Sequence, residues 1–116
     1  MDNTEISKND TAAQDFALAY EASTGYYFIS QASTGLCVDV KWGSTASGTD
    51  VWLWTANWTN AQRWAIAANA DGTYTMRNAI TGFAIDAQWG GTTDGTNIWV
   101  YEYNGTAAQK WAFTKK

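Results

Sequence analysis

Short runs of alternating apolar and polar residues occupy most of the chain, and clusters of Gly, Asn, Asp, Ser and Thr separate them. Runs of this length with a period of two are typical of β-strands joined by turns. The pattern predicts eight strands, at residues 26–31, 36–40, 51–55, 64–67, 73–78, 83–87, 98–102 and 111–114. A small all-β fold is therefore expected.

Two long segments of the chain repeat each other. Segment 25–64 matches segment 72–111 without gaps at an offset of 47 residues, and each ends in Gln-x-Trp. A third copy of this closing signature, at residues 9–16, ends in Gln-x-Phe. Self-similarity at a fixed period indicates one structural unit per repeat. The sequence predicts a single domain over 1–116, with a partial lobe at 1–24 and complete lobes at 25–71 and 72–116.

Each complete repeat contains four of the predicted strands. Repetition of a four-stranded unit is typical of a closed or nearly closed β structure with internal pseudo-symmetry. Residues 12–22 also contain Ala, Gln and Glu, which favour helix. We discount a helix there, because the Gln-x-Phe of this segment matches the strand-forming Gln-x-Trp of the later repeats.

The motifs of the repeat resemble those of a known family. Gly-Leu-Cys-Val-Asp-Val at 35–40, a Gly-Thr turn, an aliphatic-aromatic strand and a closing Gln-x-Trp are similar to the ricin B-type lectin repeat. The resemblance covers residues 9–114. It implies a β-trefoil, in which three lobes of four strands form a six-stranded barrel and its hairpin cap, here with the first lobe incomplete. Most members of the family bind carbohydrate.

The missing strands of the first lobe affect closure of the barrel. In a trefoil the first and last strands pair, so an open edge is expected beside residues 111–114. Open edges invite pairing with another chain. We therefore expect either a longer parent chain, a homo-oligomer that completes the barrel, or a rearrangement of residues 1–24.

The third strand of each complete repeat separates aliphatic from aromatic residues. Side chains alternate between the two faces of a strand, so Val51 and Leu53 share one face, while Trp52 and Trp54 share the other. The segment 98–101 repeats this division. Aliphatic residues suit the core, which leaves an exposed aromatic pair. Such a pair suits the apolar C–H face of a sugar, and a nearby carboxylate and amide suit its hydroxyl groups.

The resemblance implies which residues form the binding sites. It assigns the carboxylate to Asp39 and Asp86 and the stacking aromatic residue to Trp54 and Tyr101. The complete set of candidate carbohydrate-binding residues is Asp39, Trp52, Trp54, Asn57 and Gln62 in the second lobe and Asp86, Trp99, Tyr101, Asn104 and Gln109 in the third.

Galactose-binding members often carry Asn directly before the closing Gln. This chain has Ala61 and Ala108 at that position, so the sequence does not support a galactose assignment. The closing Gln of each repeat is expected either to support the Asp or to reach the sugar.

Some candidates also have structural interpretations. Asp39 and Asp86 are consistent with turn or capping residues, and Asn57 and Asn104 fit turn chemistry as well as sugar binding. Both interpretations remain open at the level of the sequence.

The other tryptophans divide into three kinds. Trp64 and Trp111 are predicted to lie in the core, because an aromatic residue recurs at their position even in the partial lobe. Trp42 and Trp89 are equally consistent with core or hairpin packing and with sugar contact. Trp58 has no aromatic counterpart in the other lobes.

Composition excludes several functions. The chain has 116 residues, eight Trp, one Cys and no His, with a net charge of −4. It can build neither a Ser-His-Asp or Cys-His catalytic arrangement nor a Cys/His zinc site, so we predict no metal and no other cofactor. Scattered basic residues argue against a nucleic-acid partner. Neither a signal peptide nor a membrane-spanning segment is evident, and membrane insertion is not expected.

The leading hypothesis is non-catalytic binding of a glycan or polysaccharide through one shallow site in each complete lobe, with affinity gained from two sites. The alternative is an interaction or structural subunit with degenerate sugar sites that docks through its open edge. Glycoside hydrolysis needs paired carboxylates about 5 to 9.5 Å apart. Pseudo-symmetry should hold Asp39 and Asp86 farther apart, so an enzyme is not expected. Secretion or cell-surface display follows from the family resemblance alone.

Overall fold

The computed structural model describes residues 15–92 and 95–113. Eight β-strands dominate these residues: β1 (Phe16–Glu21), β2 (Tyr26–Gln31), β3 (Cys37–Val40), β4 (Thr49–Trp54), β5 (Trp64–Ala68), β6 (Tyr74–Asn78), β7 (Ala84–Ala87) and β8 (Ile98–Tyr101). The all-β prediction is confirmed, and the seven strands predicted between residues 26 and 102 differ from β2–β8 only at their ends.

Two predictions near the chain ends have different outcomes. Of the segment 12–22, the strand interpretation is confirmed for Phe16–Glu21, because β1 pairs in antiparallel register with β2 from Phe16 opposite Gln31 to Glu21 opposite Tyr26. The strand predicted at 111–114 is not continuous among the described residues, where Trp111 and Phe113 are each in a single β-bridge. Trp111 forms an isolated bridge with Tyr74, and residue 114 lies outside the described part of the chain.

Seven of the strands close into a ring. Their order is β2-β3-β4-β8-β7-β6-β5, and β5 pairs back with β2. Strand β1 pairs with β2 and is not a member of this ring, so closure of the ring does not depend on it. The open edge and the rearrangement of residues 1–24 rest in part on residues 1–14, which lie outside the described range, and both stay predictions.

The core contains equivalent residues of both complete lobes, together with Phe16 of the partial lobe. Trp64 and Trp111 are both buried, as predicted. The indole N–H of Trp64 donates to the carbonyl oxygen of Val38 at 3.0 Å, and that of Trp111 donates to Ile85 at 3.1 Å. A buried indole needs such an acceptor. Each closing Trp therefore fixes its lobe's second strand to the core.

Four three-residue 3-10 turns link the strands within the described residues: Lys41–Gly43, Asn60–Gln62, Gln88–Gly90 and Ala107–Gln109. None of these helices has the length and apolar character needed to cross a bilayer. The first and third turns follow the Asp strands, and the other two contain the closing Gln. All four therefore border the candidate sites.

Candidate functional site

The β3–β4 hairpin brings Asp39 and Trp52 together. They lie directly opposite each other in its register, and opposite residues of an antiparallel pair present their side chains on the same face. The indole Nε1 of Trp52 donates to Asp39 Oδ1 at 2.9 Å. The β7–β8 hairpin repeats this contact, with Trp99 Nε1 donating to Asp86 Oδ1 at 2.8 Å.

The closing Gln holds the other carboxylate oxygen. Gln62 is completely buried, and its Nε2 donates to Asp39 Oδ2 at 2.8 Å and to the carbonyl oxygen of Thr55 at 3.0 Å. Its Oε1 accepts the backbone N–H of Asn57 at 3.0 Å. The side chain therefore connects the Asp strand to the loop that follows β4.

Gln109 makes the same three bonds in the third lobe. Its Nε2 donates to Asp86 Oδ2 at 3.0 Å and to the carbonyl oxygen of Glu102 at 2.8 Å, and its Oε1 accepts from Asn104 N at 2.9 Å. Of the two roles expected for the closing Gln, the structure shows support of the Asp, since Gln109 is as buried as its counterpart Gln62.

Both candidate carboxylates are nearly buried. Asp39 is 4% exposed and Asp86 5% exposed. Each accepts one indole and one amide hydrogen bond from other elements, so neither acts as a turn or capping residue. An ionised carboxylate offers about four acceptor positions. Among the described residues, the indole and amide bonds occupy two positions on each carboxylate.

Stacked aromatic rings form a platform beside each carboxylate. The rings of Trp52 and Trp54 stack at 4.6 Å between centroids with an interplanar angle of 12°. Those of Trp99 and Tyr101 stack at 5.3 Å and 21°. In each pair the second ring is exposed, while the aliphatic residues of the same strands pack against the core. This is the facial division that the alternating sequence predicts.

A third aromatic ring stands at an angle to each platform. Trp42 meets Trp52 edge to face at 4.9 Å, and Trp89 meets Trp99 at 5.3 Å. Trp42 is 76% exposed and Trp89 82% exposed, so neither belongs to the core. The sequence left both residues unassigned. Their recurrence in a Trp-Gly doublet directly after each Asp strand is the signal that points to the site.

In the second lobe these groups line a cleft of about 380 Å³. Its lining residues are Asp39, Trp42, Gly43, Trp52, Trp54, Asn57, Thr59, Asn60, Ala61 and Ile80. Ile80 comes from the third lobe, a contribution that the repeat alignment could not reveal.

The candidate Asn residues have a structural role as well. Asn57 Oδ1 accepts the backbone N–H of Thr59 at 3.2 Å and its hydroxyl group at 2.8 Å. Asn104 makes the same pair of bonds to Thr106 at 3.1 and 2.7 Å. Turn chemistry therefore occupies the side-chain oxygen. The amide nitrogen of Asn57 has no partner among the described residues, and this residue lines the cleft.

A comparison with protein families decides where the chain belongs. The family described as ricin-type beta-trefoil lectin domain-like matches residues 12–101. The chain belongs to this ricin-type lectin-like family. No curated protein sequence matches this ricin-type domain.

Solved structures confirm the β-trefoil fold of this ricin-type domain. It is 28% identical to the designed three-fold symmetric protein ThreeFoil, with a TM-score of 0.85 over 91% of this chain and 75% of that one. It is 27% identical to an exo-beta-1,3-galactanase from Clostridium thermocellum, with a TM-score of 0.85 over 91% of this chain and 23% of the galactanase. The ricin B-like lectin of Macrolepiota procera, solved with lactose, shares the fold at 18% identity, with a TM-score of 0.76 and coverage of 90% and 73%.

Proposed function

We propose that this ricin-type lectin-like domain binds carbohydrate without catalysis, through an aromatic-plus-Asp site in each complete lobe. One observation carries the proposal. An exposed aromatic ring is stacked beside a nearly buried carboxylate, with the same hydrogen bonds, in two lobes that share only part of their sequence.

The proposed roles follow the chemistry of each side chain. Trp54 and Tyr101 provide flat apolar faces on which the C–H face of a pyranose can stack. Asp39 accepts hydrogen bonds from sugar hydroxyls at the acceptor positions that Trp52 and Gln62 do not occupy. Asp86 does the same beside Trp99 and Gln109. The amides of Asn57 and Asn104 add a donor.

Family membership supports carbohydrate binding in general. The Macrolepiota procera lectin was solved in complex with lactose, and a Polyporus squamosus lectin of the same fold was solved with a sialylated trisaccharide epitope. These two proteins are too distant in sequence to indicate which sugar this chain takes. Ala61 and Ala108 give no reason to favour galactose.

A binding role without catalysis fits the placement of the carboxylates. Asp39 and Asp86 each bond within their own lobe, to different Trp and Gln partners. The similar galactanase is an enzyme, but this chain corresponds to 23% of its length. Two separate weak sites on one domain would raise its affinity for a polysaccharide or a glycan array. A secreted or cell-surface location is part of the proposal.

Isothermal titration calorimetry against common monosaccharides, short oligosaccharides and soluble polysaccharides tests the proposal. We expect binding that Trp54→Ala and Tyr101→Ala each weaken and that the double variant abolishes. Tyr20→Ala is the matched control, because Tyr20 is an exposed aromatic residue outside the cleft lining. Asp39→Ala is less informative, since it also breaks the bonds that hold Trp52 and Gln62.

Wild-type protein that binds no member of the panel would contradict the proposal. That result would favour the interaction subunit with degenerate sugar sites. Binding that survives in the double platform variant would show that sugar contacts a different surface.

A further inference from the structure

Resting on the proposed function, we propose that Trp42 and Trp89 extend the two sites so that each takes at least two linked sugar units. The first unit stacks on the platform ring, Trp54 or Tyr101. The next unit lies against the upright ring of Trp42 or Trp89. The ligand class is therefore a linear oligosaccharide or polysaccharide rather than a single sugar.

The backbone conformation of these two residues is the first observation. Trp42 has a φ of 61° and Trp89 a φ of 58°. A bulky side chain rarely adopts the left-handed region, and residues held there cluster at functional sites. The same unfavourable conformation occurs at the same position of both complete lobes.

The fold gains little from an indole at this position. Both rings are largely exposed, and neither indole N–H has a hydrogen-bond acceptor among the described residues. Large exposed apolar groups that recur beside a cleft are a mark of binding surfaces. Trp42 and Trp89 therefore combine strain, exposure and an unused donor.

The strained conformation has a geometric result. It holds the ring of Trp42 at 64° to Trp52 and the ring of Trp89 at 63° to Trp99. The centroids of Trp42 and Trp54 are 6.4 Å apart, with their planes 56° apart, and both residues line the same cleft. One flat sugar ring can stack on only one of these two faces. The next sugar unit of the oligosaccharide can contact the ring of Trp42 and accept a hydrogen bond from its indole N–H.

The test compares monosaccharides with their linear trimers. The probes are N-acetylglucosamine and chitotriose, glucose and cellotriose, xylose and xylotriose, and galactose and β-1,3-galactotriose, titrated into the wild-type chain by calorimetry. The variants are Trp42→Gly, Trp89→Gly and the double variant, since Gly accepts the left-handed backbone. Trp58→Gly is the matched control, because Trp58 is also exposed with a φ of 59° but does not line the cleft. Circular dichroism checks that each variant keeps its fold.

We expect the wild type to bind at least one trimer at least about tenfold more tightly than its monosaccharide, a difference of about 1.4 kcal/mol. The double variant should lose this gain, so its affinity for the trimer should fall by a larger factor than its affinity for the monosaccharide, and Trp58→Gly should change neither value.

If the affinity for the trimer exceeds that for the monosaccharide by no more than the number of sugar units in the trimer, the gain reflects only the number of units that can bind. That result would overturn the proposal. An equal loss for monosaccharide and trimer in the double variant would also overturn it, because Trp42 and Trp89 would then serve the first sugar. Both results leave the proposed function standing. Failure of every probe to bind would overturn the proposed function, and this proposal with it.

Discussion

Replacement of Gln62 by Leu tests whether the buried Asp-Gln-Trp network holds the site in place. Leu has a similar volume but no polar atoms. The change removes three hydrogen bonds, to Asp39 Oδ2, to the carbonyl oxygen of Thr55 and from the N–H of Asn57. It leaves a nearly buried carboxylate oxygen without its amide donor. We expect a large loss of stability from a substitution that conserves size.

The contact chemistry gives the magnitude. A hydrogen bond to a charged group contributes about 1.5 to 3 kcal/mol and a neutral one about 0.5 to 1.5 kcal/mol. One charged and two neutral bonds therefore predict a loss of about 2.5 to 6 kcal/mol. A domain of this length has a free energy of unfolding of about 6 to 17 kcal/mol. The variant should fold, with a much lower denaturation midpoint.

Urea denaturation followed by far-UV circular dichroism measures the loss. Gln109→Leu should cost about as much as Gln62→Leu, because its three bonds are equivalent. Gln88→Leu is the control, since Gln88 is half-buried in a similar turn without a side-chain hydrogen bond in the described structure, and it should change stability by less than about 1 kcal/mol. A loss below about 1 kcal/mol for Gln62→Leu would refute the reasoning.

Three further predictions concern the rest of the fold. Gly105 has a φ of 67° and no neighbour that an added methyl group would clash with. Gly105→Ala should therefore lower the free energy of unfolding by about 1 to 2 kcal/mol through backbone strain alone. Urea denaturation measures this loss, and an unchanged midpoint would contradict the prediction. The hydrogen bond from Arg63, followed by that from Thr24, lowers the pKa of Glu21. The stabilisation that ionised Glu21 gives the folded state should be complete above the pKa of Glu21 in the unfolded chain and should disappear as pH falls through its lower pKa in the folded protein. Glu21→Gln should therefore reduce stability at neutral pH and make no difference in acid. A difference that persists in acid would be evidence against the bond. Burial, with a smaller effect from the charge of Asp39, raises the pKa of the Cys37 thiol. A disulfide reagent should therefore react slowly with Cys37 in the folded protein and quickly in urea. Rapid reaction with the folded protein would show that the β3 strand opens.

Much of the fold was predictable because local pattern and tertiary structure agree. The alternation of apolar and polar residues predicted the strands, and the gapless repeat predicted two equivalent lobes. Residues 111–114 show the limit of this reasoning. Alternation there predicts a strand, but a continuous strand also needs partners along its length, and the described residues form only single bridges, at Trp111 and Phe113.

The site was predictable in membership more than in arrangement. The alternation predicted that Trp52 and Trp54 share a face. It could not predict that Trp52 donates to Asp39, because that contact depends on the register of two strands. Trp42 remained unassigned because its orientation depends on a positive φ that few bulky residues adopt. Ile80 was missed because it reaches the second-lobe cleft from another lobe.

The most direct test of carbohydrate binding is nuclear magnetic resonance of the eight indole N–H groups during titration with the sugar that calorimetry identifies as the strongest ligand. We expect large saturable shifts for the N–H of Trp54 and for those of Trp42 and Trp89, which have no acceptor among the described residues. The buried N–H groups of Trp64 and Trp111, which donate to backbone carbonyl oxygens, should not shift. Saturable shifts confined to Trp58, Trp64 and Trp111, or sugar binding without any indole shift, would contradict carbohydrate binding at these sites.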